Sequence, residues 1–182
     1  MGKKQKGIKE MRMKRVLLAV IMLATLSGCA TSIINVSRSP NQLPIKVNKI
    51  ALMPSGGPLA DAIGIELLNT GYQIIDTTTV TGYMARYNLD EMELIMPQNI
   101  NKLSREGIDT VLLVKTVAGY DGRPESATAK IVATATGQLI VGVTWQNGKG
   151  GAQGSIMDGV MRSNLSAVAK QIDLGIEKAL IK

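Results

Sequence analysis

The chain has one cysteine and no histidine, and the place of that cysteine divides it in two. Cys29 follows a basic run (Lys3, Lys4, Lys6, Lys9, Arg12, Lys14, Arg15), eleven largely apolar residues from Val16 to Leu26, and the small pair Ser27 and Gly28. A positive flank, a short apolar stretch and small residues before a cleavage point form the layout of a secretory signal peptide. Residues 1–28 are therefore read as an address that is removed, and the fold must be built from residues 29–182. The competing reading is a single membrane span from Val16 to Ile34. A span needs about 20 predominantly apolar residues, and Thr25, Ser27, Gly28, Thr31 and Ser32 interrupt this one. Met11 and Met13 each begin a shorter signal that keeps Arg12 or Lys14 and Arg15, so translation starting at either is compatible with the address.

Leu26-Ser27-Gly28-Cys29 resembles the bacterial lipobox at all four positions. The resemblance implies cleavage before Cys29 and acylation of its sulfur and new amino terminus. The membrane then becomes a partner through a lipid anchor at Cys29. Acylation would use the only thiol, so no disulfide framework is available and the fold must be held by its core. Without histidine or a second cysteine, common zinc and haem sites and Ser-His or Cys-His nucleophile pairs are excluded. The chain is expected to be no enzyme and to need no cofactor.

The formal charge of +7 would ordinarily point to nucleic acid, but it belongs to the address. Removing seven of the 21 Lys/Arg and one of the 14 Asp/Glu with residues 1–28 leaves 14 and 13, a net charge of +1. Non-specific nucleic-acid binding rests on many cation–phosphate contacts, and this balance does not supply them.

Residues 29–48 are polar and contain Pro40 and Pro44, so they read as a lipidated tether. Residues 49–182 read as one α/β domain: a mixed sheet of four to five strands packed with helices, ending in a long helix. Ile50 to Met53 is a buried strand closed by Pro54-Ser55-Gly56-Gly57. The helix after it carries Leu59, Ile63 and Leu67 on one stripe, with Ile65 and Leu68 adding a second covered face. Tyr72 to Asp76 is a second strand, followed by a helix for which Thr77 to Thr79 offer capping hydroxyls. Asp90 to Met96 fits one helical turn or a loop, and Pro97 opens a further helix stopped at Gly107. Val111 to Val114, apolar on both faces, belongs in the middle of the sheet. Ala127 to Thr136 and Leu139 to Trp145 alternate with a period of two and make a hairpin about Thr136-Gly137. Ser155 to Leu180 repeats apolar residues every three or four positions and reads as one helix of about 39 Å.

Few motifs point to chemistry. Gly148 to Ser155 matches no phosphate-loop spacing and reads as a connector, and Pro54 to Gly57 reads as a tight turn. Asp90, Glu91 and Glu93, and likewise Asp121, Arg123 and Glu125, read as solvated charge. Trp145, the sole tryptophan in a chain without phenylalanine, and Tyr120 are the candidate interface anchors. Core filling is the competing reading of Trp145, given its alternation with Val143.

Lys49 to Met53, Gly71 to Asp76, Gly107 to Leu113 and the hairpin Ala129 to Val143 around Thr136-Gly137-Gln138 stand in an order that resembles lipoproteins like the TolB amino-terminal domain. That group includes the curli-secretion CsgG type, the Pel-export lipoprotein and the activator LpoB. The resemblance implies a non-enzymatic lipoprotein of the outer membrane, facing the periplasm, that acts by oligomerising or by touching an envelope partner. It implies an assembly or adaptor component of a secretion or export complex. The alternative that it allows is a regulator that binds and activates a peptidoglycan-synthesis or other envelope enzyme.

Overall fold

Strand β4 (Thr110–Ala118) is the hub, because it alone joins two ways of pairing. In the computed structural model, which describes residues 32–40, 46–148 and 150–180, β4 runs parallel to β2 (Lys49–Leu52) and antiparallel to β5 (Pro124–Ala133). The six-stranded sheet has the order β1-β6-β5-β4-β2-β3, with β3 at Gln73–Ile75, β6 at Leu139–Gln146 and β1 at Ile33–Arg38. The fold class is the α/β mixed sheet expected from the pattern, with one strand more than the four to five anticipated.

That extra strand comes from the stretch read as a tether. Ile33–Arg38 pairs antiparallel with β6, placing Ile34 opposite Trp145 and Val36 opposite Val143. Its alternation is too weak to announce a strand because the side facing α6 carries only two apolar residues, Ile34 and Val36, before Arg38. Residues 41–45 and the stretch read as a signal, with Cys29, lie outside the described residues.

Helices α1 (Gly57–Asn69), α2 (Thr77–Tyr87), α3 (Glu91–Leu94) and α4 (Asn101–Arg105) precede β4, while α5 (Ile156–Met161) and α6 (Leu165–Leu180) follow β6. Alternation along the strands divides the core between two faces. Ile50, Leu52, Leu112, Ile131, Val141, Val143 and Trp145 meet Leu59, Ile63 and Leu67 of α1 and Val168, Ile172 and Ile176 of α6. On the opposite face Ala51, Met53 and Val111 meet Val80, Leu94, Ile100 and Leu103. The parallel half of the sheet is thus covered on both sides, as β4's two apolar faces require. The antiparallel half leaves Asn35, Lys130, Thr144 and Gln146 exposed.

Three helix expectations change. Ile65 and Leu68 of α1 are 61% and 57% exposed, so this helix buries one stripe only. The cap of α2 is Asp76, whose carboxylate accepts from Thr79 N at 2.8 Å, and the threonine hydroxyls do not take that role. The long C-terminal helix is present as α6, but the span 155–180 is divided: Arg162 is extended (φ −70°, ψ 129°), and Asn164 restarts the helix by accepting from Ala167 N at 2.9 Å. An asparagine before an apolar run is a helix-start signal, and the unbroken spacing of Met157, Met161 and Leu165 masked it.

Candidate functional site

β2 and β4 end, β5 and β1 begin and β6 ends at one end of the sheet. There the turn Gly119–Arg123 meets α5. Arg162, in the break between α5 and α6, turns its guanidinium into this junction. Its side chain is 4% exposed, donates from Nε to Asp121 Oδ2 at 3.0 Å and from Nη1 to Glu125 Oε2 at 2.6 Å, and lies 5.0 Å over the Tyr120 ring. Nη2 has no hydrogen-bond partner and is seated against Gly119, where an added Cβ would stand 2.0 Å away. Arg123 closes the junction from outside by donating from Nη1 to the carbonyls of Gly159 (2.8 Å) and Arg162 (3.1 Å).

Tyr120, one of the two candidate anchors, is half exposed, and its hydroxyl donates to Asp158 Oδ2 at 2.8 Å. That bond, then burial, raises the phenol above its ordinary range, while the same bond and the Gly154 amide lower the Asp158 carboxyl. The phenol therefore keeps its proton and the carboxylate stays ionised at neutral pH, so the pair is no proton relay. Glu125, Gly148, Gly151, Gln153, Asp158 and Arg162 line a polar cavity of about 280 Å³. A more apolar groove of about 460 Å³ lies at the same end between Ser55, Pro58, Leu59, Ala118, Arg123 and Leu165. Among the described residues no group of three or more His, Cys, Asp or Glu is placed to hold a metal.

Trp145, the other candidate, is 1% exposed. It fills the core, and its Nε1 donates to Gln171 Oε1 at 2.7 Å, so the core-filling reading describes it in the single chain. The acidic cluster also has local duties. Asp90 and Glu93 form a reciprocal capping box for α3, and Glu91 accepts from both Ser55 N (2.9 Å) and Ser55 Oγ, tying the turn after β2 to α3. Asp121, Arg123 and Glu125 are partners of Arg162 or of α5, not free solvated charge. Arg162 itself escaped the sequence reading; an arginine inside an apolar helical stripe was the available signal.

The sheet leaves a second feature open. β1 forms its outer edge next to β6, with Ile33 57% and Val36 40% exposed. No helix of the described residues is long and apolar enough to cross a membrane.

No protein-family model matches the chain, and no curated protein matches it in sequence. Among solved structures it is similar to PelC of Paraburkholderia phytofirmans in two dodecameric crystal forms. In the first, the L103M variant, identity is 14%, coverage 84% of this chain and 100% of that one, and TM-score 0.47. In the second the values are 15%, 82%, 98% and 0.45. It is also similar to lipoprotein GNA1162 of Neisseria meningitidis, at 20% identity over 68% of this chain and 95% of that one, with TM-score 0.45. PelC is the Pel-export lipoprotein that the group named from the sequence already included. At these scores the likeness carries no argument about activity or assembly.

Proposed function

We propose that this chain is a non-enzymatic lipoprotein of the cell envelope, anchored through acylated Cys29 in the outer membrane and facing the periplasm. Its domains on this reading are a removed signal, residues 1–28, and an anchored α/β domain whose fold begins inside the former tether. It serves as an assembly or adaptor component of a secretion or export complex and works by self-association. The observation that carries the reading is the position of β1. The strand that begins at Ile33, four residues after Cys29, is also one of the two edges of the sheet, with no strand on its outer side among the described residues and with Ile33 57% exposed. Natural sheets usually cover or blunt such edges, and a second copy that shares the same anchor is a fitting cover. The Arg162 guanidinium, 4% exposed and bonded through two of its nitrogens to Asp121 and Glu125, supports a structural role for that junction.

Light scattering on detergent-extracted, acylated protein tests this. A stable multiple of the mature mass, lost when Ile33→Lys places charge on the exposed part of the edge strand, is expected. A strict monomer at every concentration would overturn self-association and favour the alternative of an enzyme-activating lipoprotein. Mass spectrometry of the mature amino terminus tests acylation separately.

A further inference from the structure

Helix α5 is built inside out. Its one buried residue is Asp158, while Ile156 is 86%, Val160 75% and Met157 45% exposed. Ile156 and Val160 are four apart and share a face, so the helix turns its carboxylate inward to Tyr120 and Gly154 and its apolar side outward. A short surface helix normally does the reverse, and the inversion is held in place by Arg123 and the Tyr120 bond. It is therefore a built feature of the fold and needs a cover.

The topology limits what that cover can be. α5 packs on the turn Gly119–Arg123 at the end of the sheet where β1 starts, Ile33 being opposite Gln146 at the finish of β6. β1 finishes at the opposite end, since Ser39 bonds Ile140 near the start of β6. Helix α6 also finishes at that far end, where Lys178 and Ala179 lie beside Arg38. Ser32, by contrast, is fixed at the near end by its hydroxyl bond to Gln171, and Cys29 is three residues before it. Three residues reach at most about 10 Å. On the reading that Cys29 is acylated, on which this inference rests, the α5 end of the domain cannot leave the bilayer surface.

We infer that α5 is a membrane-docking surface, with Ile156, Met157 and Val160 seated in the headgroup region of the bilayer that holds the Cys29 acyl chains. Helices lying in the interface insert their apolar face about 5–10 Å. A single covalent point lets a domain swivel; the anchor and α5 together fix its orientation, with the edge of β1 held at a constant height above the membrane. Every copy then presents that edge alike.

The test uses the full acylated protein reconstituted into phosphatidylethanolamine and phosphatidylglycerol vesicles. Because Cys29 has its sulfur in a thioether, Ile156→Cys and, separately, Val160→Cys give one free thiol each for an environment-sensitive fluorophore. Thr136→Cys, exposed on the β5–β6 turn at the other end, is the reference. The expected result is blue-shifted emission at 156 and 160 that is quenched by lipids spin-labelled near the headgroup, with neither effect at 136. Water-like emission at 156 and 160 on protein whose mass confirms acylation overturns docking and leaves the anchor intact. A blue shift without quenching by the lipids means that a second copy covers the helix and equally overturns it. Unmodified Cys29 overturns the anchor reading, and docking with it.

Discussion

Ser32 donates its hydroxyl to Gln171 Oε1 at 2.5 Å across 139 positions of chain, tying the segment nearest the lipobox to the middle of the last helix. The same oxygen accepts Trp145 Nε1 at 2.7 Å, so one glutamine serves both the exit of the chain and the only tryptophan. Replacing it with methionine strands a buried indole N–H. We expect Gln171→Met to cost about 1–3 kcal/mol and Ser32→Ala about 0.5–1.5 kcal/mol. Urea unfolding checks both; equal losses would mean that the indole finds another acceptor.

Asp173 lies on the same helix, 3% exposed, with Oδ1 unpartnered. Burial, reinforced by Glu177 and Glu66, pushes its carboxyl up to about 6 from 3.8. Between those values the folded state binds more protons than the unfolded chain, so this group's contribution to stability declines as pH rises from about 4 to about 6 and is flat above. Asp173→Asn should raise stability at pH 7 by on the order of 1–3 kcal/mol and remove that slope. Thermal melts from pH 4 to 8 decide it, and an unchanged slope would assign the dependence to another group.

Arg162 holds Asp121 and Glu125, whose side chains are 21% and 38% exposed. Breaking a fully buried pair costs about 3–5 kcal/mol; water reaching these carboxylates brings the expected loss for Arg162→Met to about 1–3 kcal/mol. Arg162→Lys should recover little, because one ammonium cannot reproduce the planar two-pronged donation. Melting temperature is the readout.

Gly119→Ala should injure the same junction from the other side, since the new methyl group would press on Arg162 Nη2. If so, the double variant with Arg162→Met will lose less than the sum of the two. Additivity would separate the glycine's effect from the arginine.

A Cβ at Gly175 would lie 3.1 Å from Val36 and 3.4 Å from Val143, so α6 approaches β1 and β6 closely there. Gly175→Leu should cost about 1–3 kcal/mol by overpacking and accelerate amide exchange in β1 ahead of β4. Uniform acceleration would count against local detachment of the edge strand.

Much of the fold was legible in the residues. Ile50 to Met53, Val111 to Val114 and the hairpin about Gly137 announce themselves because two-sided burial and a period of two leave compositional traces. Three things did not. β1 hides in a polar stretch because one of its faces is open to solvent, so its alternation is weak. The break at Arg162 hides because α5 and α6 each keep the helical spacing across it. The partners of Arg162 hide because Asp121 and Glu125 stand about 40 residues away, a distance that only the turn after β4 closes.

By itself the sequence determined the expectation of an address ending before Cys29, the absence of the residues that common catalysis needs, and an α/β order of strands and helices, since each is a matter of residue type and local period. Only the tertiary structure decided that the fold begins within four residues of the lipobox, that a buried arginine breaks the last helix, and that α5 wears its apolar side outward. Each of these depends on which side of an element finds a partner, and partners are contributed by segments far apart in the chain.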